Sequence, residues 1–367
     1  MLAVLSGGGT AGHINPAIAL ADELAARGHE VRFAGTPNGV EARLITEAGI
    51  PFTPFEAAGF NRNHPTTIVK GVRLISKSTK AAKKWFEEIR PDVVVAFGGY
   101  VCLPVGRAAE QMGVPVVLHE QNSVMGMANK SLAGKASTVC LTYEHAATDV
   151  HDRGKVVVTG NPVRSSVLSA TREQGRAMLG IPTESRMLLV FGGSLGARHI
   201  NQAVCALKER LLAEDDLYIV HVTGPKEYDT VVNDLDLTPE QARRWMLFGY
   251  QDHMGKCLAA ADAVVSRSGA TSLAEISALG IPALLVPFPF ATEDHQTTNA
   301  RAYVDAGCAF MIADDEVEGP EFERLLLELV QDAGVRERMT QAAHEQKTRD
   351  AVRLLADEVE RAAGLRE

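Results

Sequence analysis

Leu2-Ala3-Val4-Leu5-Ser6-Gly7-Gly8-Gly9-Thr10-Ala11-Gly12-His13-Ile14-Asn15-Pro16 is the stretch that decides the fold. A continuous apolar run stops at three glycines. A run without polar alternation marks a strand covered on both faces of a parallel sheet. A helix is predicted next, with Asn15 as N-cap, Pro16 at the first helical position and Gly28 as the stop. Ile18, Leu20, Ala21 and Leu24 give that helix an apolar face. Glycines allow a tight turn, and a helix N-terminus attracts anions, so the unit is a candidate phosphate site. The alternative is that these glycines only make the turn. With no basic leader before the glycines, the opening reads as a strand and not as a signal peptide.

Similar apolar runs recur along the chain. One series is Leu2–Ser6, Val31–Ala34, Val93–Phe97, Val116–His119, Thr138–Leu141 and Val156–Val158. A second is Met187–Phe191, Tyr218–Val222, Ala263–Ser266, Ala283–Val286 and Phe310–Ile312. Helical stretches separate them, which predicts βαβ units and an α/β fold of two doubly wound parallel sheets. The break falls at Gly160-Asn161-Pro162-Val163-Arg164. The expected division is residues 1–162, residues 163–342, and a C-terminal helical segment of about 343–367 that either packs back on the first domain or does not.

Gly7, Gly9 and Gly12 satisfy a G-x-G-x-x-G pattern. A dinucleotide site also needs an acid closing the second strand for the ribose. That strand ends Phe33-Ala34-Gly35-Thr36, which weakens a dehydrogenase reading. The second domain repeats the device at Gly192-Gly193-Ser194-Leu195-Gly196-Ala197, and a further loop, Phe97-Gly98-Gly99-Tyr100-Val101-Cys102, follows another buried strand. Ligands of open α/β sheets bind outside the carboxyl ends of the strands, where these loops lie. A fourth element, Arg267-Ser268-Gly269-Ala270-Thr271-Ser272-Leu273-Ala274-Glu275, has two readings. Ser272 and Glu275 form a capping box, or Glu275 accepts hydrogen bonds from a ribose diol while the helix start faces a phosphate.

Bulk properties narrow the class. A chain of 367 residues favours two cores. Its five scattered cysteines, with no Cys-x-x-Cys, argue for a reducing cytoplasm and against disulfides or zinc. The most apolar run, Ile281 to Ala291, is too short to span a bilayer and holds three prolines. Net charge is −9, with +2 over residues 1–162 and −11 over the remainder. Nucleic acid is therefore an unlikely partner, and any anionic surface should meet the first domain. Asp234-Leu235-Asp236 resembles a metal-binding Asp-x-Asp but lies in a polar stretch away from every glycine loop, and reads as a solvated helix end.

Taken in order, the motifs Gly8-Gly9-Thr10-Ala11-Gly12-His13, Gly98-Gly99-Tyr100-Val101, His119-Glu120-Gln121-Asn122, Gly160 to Arg164, Gly192 to Ala197, Arg267 to Thr271, and Gln296 with Asn299-Ala300 resemble those of the MurG family across essentially the whole chain. These enzymes add N-acetylglucosamine to lipid I, undecaprenyl-pyrophosphoryl-muramyl-pentapeptide, in peptidoglycan synthesis. The resemblance implies a GT-B fold of two Rossmann-like domains and an inverting hexosyl transfer in which UDP leaves. It implies no cofactor and no metal. UDP-N-acetylglucosamine (UDP-GlcNAc) would lie mostly on the second domain: Ser194 and Arg164 near the diphosphate, Gln251 at the uracil, Ala270, Thr271, Ser272 and Leu273 lining the nucleotide pocket, Glu275 on the ribose and Gln296 on the sugar. Thr10, Ala11, Gly12 and Asn122 would close over the donor from the first. The chain departs from the family at Cys102, where a serine is familiar, at His295 and at Ala11. The first two of these are expected to touch acceptor or sugar contacts. Other cell-wall synthesis proteins are implied as partners.

The acceptor hydroxyl must lose a proton to a base within hydrogen-bond reach. His13 is the leading candidate; its alternative role is to bond a backbone carbonyl at the helix entry. Glu120 competes, with the alternative of a buried partner for neighbouring polar groups. A lipid-held acceptor also predicts contact with the inner leaflet, at the cytoplasmic face of the membrane. Residues 62–90 carry eight basic side chains (Arg62, Lys70, Arg73, Lys77, Lys80, Lys83, Lys84, Arg90) among Ile68, Val69, Val72, Leu74, Ile75, Trp85 and Phe86. That is a basic amphipathic surface, or else an ordinary crossover helix with a solvated face. A UDP-sugar epimerase would leave such a surface unexplained, and a lipid-binding scaffold would not need three phosphate loops.

Overall fold

The computed structural model describes residues 1–57, 65–193, 196–345 and 350–366. The chain divides into two units, Met1–Arg164 with Arg349–Glu367, and Ser165–Thr348.

The first unit holds β1 (Leu2–Ser6), β2 (Glu30–Gly35), β3 (Phe52–Pro54), β4 (Val93–Ala96), β5 (Val116–Glu120), β6 (Thr138–Leu141) and β7 (Val156–Val158). They form one parallel sheet in the order β3-β2-β1-β4-β5-β6-β7. β1 is an interior strand, with Leu5 opposite Phe33 on one side and Val95 on the other. Alternate residues go to opposite faces. Val4, Val94, Ala96 and Leu118 pack on Phe86 of α3 (Pro65–Ile89) and Val105 of α4 (Cys102–Met112). Ala3, Leu5, Val93, Val95 and Val117 pack on Ile14, Leu20 and Leu24 of α1 (Ala11–Ala26). Both faces are dry, which is why these strands read as unbroken apolar runs.

The second unit repeats the plan. β8 (Arg186–Phe191), β9 (Leu217–Val222), β10 (Trp245–Phe248), β11 (Ala263–Ser266), β12 (Ala283–Leu285) and β13 (Ala309–Met311) form a parallel sheet in the order β10-β9-β8-β11-β12-β13. The α/β class and the two doubly wound sheets are as the sequence implied.

Three local expectations need correction. α1 begins at Ala11 with Thr10 as N-cap, so Asn15 is not a cap and Pro16 lies inside the helix. The glycine loop is thus five residues shorter than a cap at Asn15 would make it, and His13 sits in the first helical turn. β3 and β10 were not among the apolar runs. Both are sheet edges with partly exposed residues, and β3 ends on Pro54, which an edge tolerates because its missing N–H is not needed by a neighbour. On α3, Phe86 is buried and Trp85 packs against Phe55 with ring centroids 5.5 Å apart and tilted by 52°, so both aromatics face the core. Arg62 lies outside the described residues, as do the side chains of Ile68, Val69 and Lys70.

The C-terminal helix Ala351–Ala362 belongs to the first unit. Leu355, Ala356 and Val359 are fully buried beside α1 and the central strands. Arg27, at the end of α1, reaches Asp357 at 2.7 Å and Glu360 at 2.9 Å, and His29 reaches Glu360 at 2.9 Å. The helix immediately before the undescribed break, Ala333–His344, belongs to the second unit. The apolar contacts dominate here, because the ion pairs are partly solvated. Leu355→Ala should lower the stability of the first unit by about 2–5 kcal/mol. In hydrogen–deuterium exchange this appears as faster exchange in β1, β4 and β5 with β8 and β9 unchanged; equal acceleration in both units would contradict the assignment.

Candidate active site

In the first unit the loops after β1, β4 and β5 lie side by side, and the winding of the sheet reverses between β1 and β4. Backbone packs directly on backbone there. Gly8 N–H donates to Gly98 O at 3.2 Å, and a Cβ on Gly99 would stand 2.4 Å from Gly8 O. Gly98 and Gly99 also have φ of +106° and +86°, which glycine adopts without strain.

His13 projects from the first turn of α1 and is half-buried. Its Nδ1 lies 2.8 Å from Gly8 O. A carbonyl only accepts, so Nδ1 carries the hydrogen, and in the neutral ring Nε2 holds a lone pair. Carbonyl bonding and a base role therefore coexist: the first selects the tautomer that the second needs. Thr10 is exposed beside it, and Ala11 and Gly12 are half-buried.

Glu120 closes β5 and is buried. Its Oε1 accepts from Asn122 N (3.1 Å) and Asn122 Nδ2 (3.3 Å), and its Oε2 from Gly126 N (2.9 Å) and Asn129 Nδ2 (2.9 Å). The carboxylate thus ties down the turn that carries Asn122. The neighbouring His119 is fully buried, donating through Nε2 to Gly160 O (3.0 Å) and accepting at Nδ1 from Gln121 Nε2 (3.0 Å). Burial pushes its imidazole down to about 4, so it is neutral at neutral pH. The Cys102 thiol donates to Gly98 O (3.0 Å) and Ser6 O (3.2 Å), and burial pushes it up to about 11. It sets the shape of the β4 loop from beneath, where an acceptor or sugar contact had been expected.

One residue escaped sequence reading. Glu41, in the first turn of α2 (Val40–Glu47), is fully buried under the β1 loop. Its carboxylate accepts from Thr36 N (3.1 Å), Thr36 Oγ1 (2.5 Å) and Gly9 N (3.3 Å). A Cβ at Gly8, Gly35 or Gly39 would come within 2.7, 2.8 or 2.2 Å of its side chain. The acid sought at the end of β2 is absent from the strand and arrives six residues later. Glycines at 35 and 39 just ahead of an acid at a helix start were the available signal.

In the second unit the winding reverses between β8 and β11. Ser194 lies outside the described residues. Gly196 of the β8 loop has φ +81°, and a Cβ there would strike Thr223 O at 2.1 Å. After β11, the helix Ala270–Leu279 begins with Gly269 as N-cap and no side-chain cap. Ser272 and Glu275 are inside the helix, which removes the capping-box reading. Thr271 and Ser272 are half-buried in its first turn, with Leu273 and Glu275 buried behind them. Ser268 Oγ donates to Gln296 O at 2.8 Å, and Gln296 Oε1 accepts from Phe288 N at 3.0 Å, so Gln296 knits the loops after β11 and β12. Arg267 braces the same loops. It pairs with Asp314 at 2.5 Å, bonds the carbonyls of Val286 and Pro287, and stands 5.5 Å over the Phe288 ring. Gln251 follows β10, its Oε1 accepting from His253 N at 3.0 Å. Arg164, half-buried, ends the chain segment of the first unit. Asp234 and Asp236 are exposed at the end of the helix Tyr228–Leu235.

Comparison with known proteins agrees with this layout. Residues 3–141 match the glycosyltransferase family 28 N-terminal domain and residues 187–355 the family 28 C-terminal domain. A protein from Leuconostoc mesenteroides, described as UDP-N-acetylglucosamine--N-acetylmuramyl-(pentapeptide) pyrophosphoryl-undecaprenol N-acetylglucosamine transferase, is 41% identical over 96% of both chains. One of the same description from Halothermothrix orenii is 38% identical over 94% of both. The crystal structure of Acinetobacter baumannii MurG superposes with a TM-score of 0.76 at 27% identity, covering 98% of this chain and 99% of that one. Motifs, paired Rossmann-like sheets and full-length similarity converge: the chain belongs to glycosyltransferase family 28, among the pyrophosphoryl-undecaprenol N-acetylglucosamine transferases.

Proposed function

We propose that the protein transfers N-acetylglucosamine from UDP-GlcNAc to the 4-hydroxyl of the muramyl residue of lipid I, with inversion, giving lipid II. The observation that carries the residue-level reading is His13 Nδ1–H held on Gly8 O at 2.8 Å, which leaves Nε2 as proton acceptor at the reversal point of the first sheet. The hydroxyl proton passes to Nε2 as the oxygen attacks the anomeric carbon. The bond from that carbon to the diphosphate oxygen breaks, and UDP departs with the electron pair. Four hydrogen bonds already fill the Glu120 carboxylate, so its part is to hold the loop bearing Asn122.

The second unit would hold the donor. The N-terminus of the helix Ala270–Leu279, with Thr271 and Ser272 in its first turn, suits a diphosphate, and its amides offset the charge developing on the leaving group. Ser194 and Arg164 would assist there, with Glu275 at the ribose, Gln251 at the uracil and Gln296 at the sugar. Thr10, Ala11, Gly12 and Asn122 would approach from the first unit.

The lipid acceptor would be met at the inner leaflet by the first unit. Arg73, Lys77, Lys80 and Lys84 line the exposed side of α3. Beside them, exposed Val72, Tyr100 and Met127 rim a cavity of ≈ 430 Å³ whose floor includes Ile75 and Leu103. Apolar groups beside a row of basic side chains suit an anionic bilayer surface. Among the described residues no helix is long and apolar enough to cross a membrane.

Acceptor-dependent UDP release from UDP-GlcNAc, with a soluble lipid I analogue and in EDTA, tests the reaction. Release without acceptor, or an epimerised sugar as product, would reject it. His13→Ala should lower kcat by about 10²- to 10⁴-fold while UDP affinity holds; near-normal turnover at saturating acceptor would remove His13 as base. Reversing Lys77, Lys80 and Lys84 to Glu should weaken binding to phosphatidylserine-containing vesicles by roughly tenfold or more, since each basic group near such a surface is worth about 1 kcal/mol. Unchanged binding would place the membrane contact elsewhere.

A further inference from the structure

We infer that Glu41 is a positioning residue for His13, acting through the single peptide group between Gly8 and Gly9. The inference rests on the reading of His13 as base. Its structural core is that two hydrogen bonds converge on one rigid unit. The carbonyl of Gly8 accepts from His13 Nδ1 at 2.8 Å, and the amide N–H of Gly9, in the same planar peptide, donates to Glu41 Oε2 at 3.3 Å. A rotation of that peptide breaks both bonds together.

The peptide's own torsions do not determine its orientation, although its carbonyl lies against Gly99. The peptide is flanked by two glycines, and Gly9 has φ +90° with open space where a Cβ would stand, so the backbone permits several settings at low cost. Glu41 supplies the missing constraint. It is fully buried and held by both the amide and the hydroxyl of Thr36. The positive end of α2 and the glycine cradle at 8, 35 and 39 make room for an anion there. Its hydrogen-bond partners are amides and a hydroxyl, so the carboxylate's charge is available to polarise the peptide it grips.

The consequence reaches the imidazole. A peptide whose N–H points to an anion turns its carbonyl oxygen toward Nδ1–H and makes that oxygen a better acceptor. The ring is then locked with Nε2 as its acceptor, and the charge it gains on taking a proton is stabilised at one peptide's remove. The device resembles the acid that orients the histidine in acyl-transfer triads, with a peptide group interposed. It also assigns the first glycine loop a purpose other than binding phosphate, since one of its amides is already committed to the chain's own carboxylate.

The test uses the full chain with ¹⁵N-labelled histidine and Glu41→Gln. In the parent protein, above the titration range of the ring, His13 should show the Nδ1–H tautomer, its signal assigned by loss in His13→Gln. In folded Glu41→Gln the ring nitrogens should shift toward a mixture of tautomers. kcat should fall about 10- to 100-fold while the UDP-GlcNAc and acceptor KM values stay within about twofold. Glu41→Asp, one methylene short, should recover little. Should Glu41→Gln not fold, Thr36→Val, which loosens the carboxylate by one hydrogen bond, should give the same tautomer shift and a kcat loss of a few-fold. An unaltered tautomer with unaltered kcat in the folded variant overturns the inference. Failure of the base reading looks different: His13→Ala would keep its turnover while Glu41→Gln still moved the imidazole signals.

Discussion

Two backbone segments meet without a side chain between them at the head of the first sheet, and the candidate catalytic half depends on that contact. Gly8 donates to Gly98, and Gly99 lies against the Gly8 carbonyl closer than any Cβ allows. Because the β1 and β4 loops touch, α1 starts immediately at Ala11 and carries His13 to the point where the sheet's winding reverses. The same carbonyl that Gly99 crowds is the one His13 bonds. Glycine torsions by themselves restrain a loop weakly, and buried carboxylates add order. Glu41 does so beneath the β1 loop and Glu120 beneath the β5 turn. A buried carboxylate is costly unless hydrogen-bonded, and each here is met by several donors.

The second unit solves a similar problem with a cation. Arg267 collects the carbonyls that follow β12 and the carboxylate of Asp314, which also takes His199 Nδ1 at 2.6 Å. That brace, with Ser268 and Gln296, holds the loops after β11 and β12 in register beside the N-terminus of the helix Ala270–Leu279. The two units share a sheet plan and differ in the chemistry that steadies their loops: anions under loops proposed to meet an acceptor and a proton, a cation behind a helix N-terminus proposed to meet a diphosphate.

α3 shows how one helix serves two ends. Its inward face, with Ile75, Ala82 and Phe86, completes the core of the first unit, and its outward face keeps the lysines in water. The aromatic residues that made the stretch look amphipathic are consumed by the core. What remains for the proposed bilayer contact is charge, with a small apolar rim at Val72, Tyr100 and Met127.

The sequence by itself determined the class, the number of sheets and the sequence of glycine loops, because central parallel strands must be apolar throughout and glycine is required wherever backbones touch. Motif spacing also singled out His13, Glu120, Gln296 and Glu275, although His13 lies in the first turn of α1 and not in the loop before it. Edge strands β3 and β10 were not legible, being short and half-solvated, and the start of α1 was misplaced because Asn15-Pro16 imitates a helix opening. Only the tertiary structure decided which partner each polar group has. That Glu120 is saturated, that Cys102 faces backbone, that Ser272 and Glu275 do not cap, and that Glu41 reaches Gly9 across 32 residues are all consequences of how strands align and helices pack. A hydrogen bond depends on a few tenths of an ångström between groups distant in the chain, and no local pattern encodes that distance.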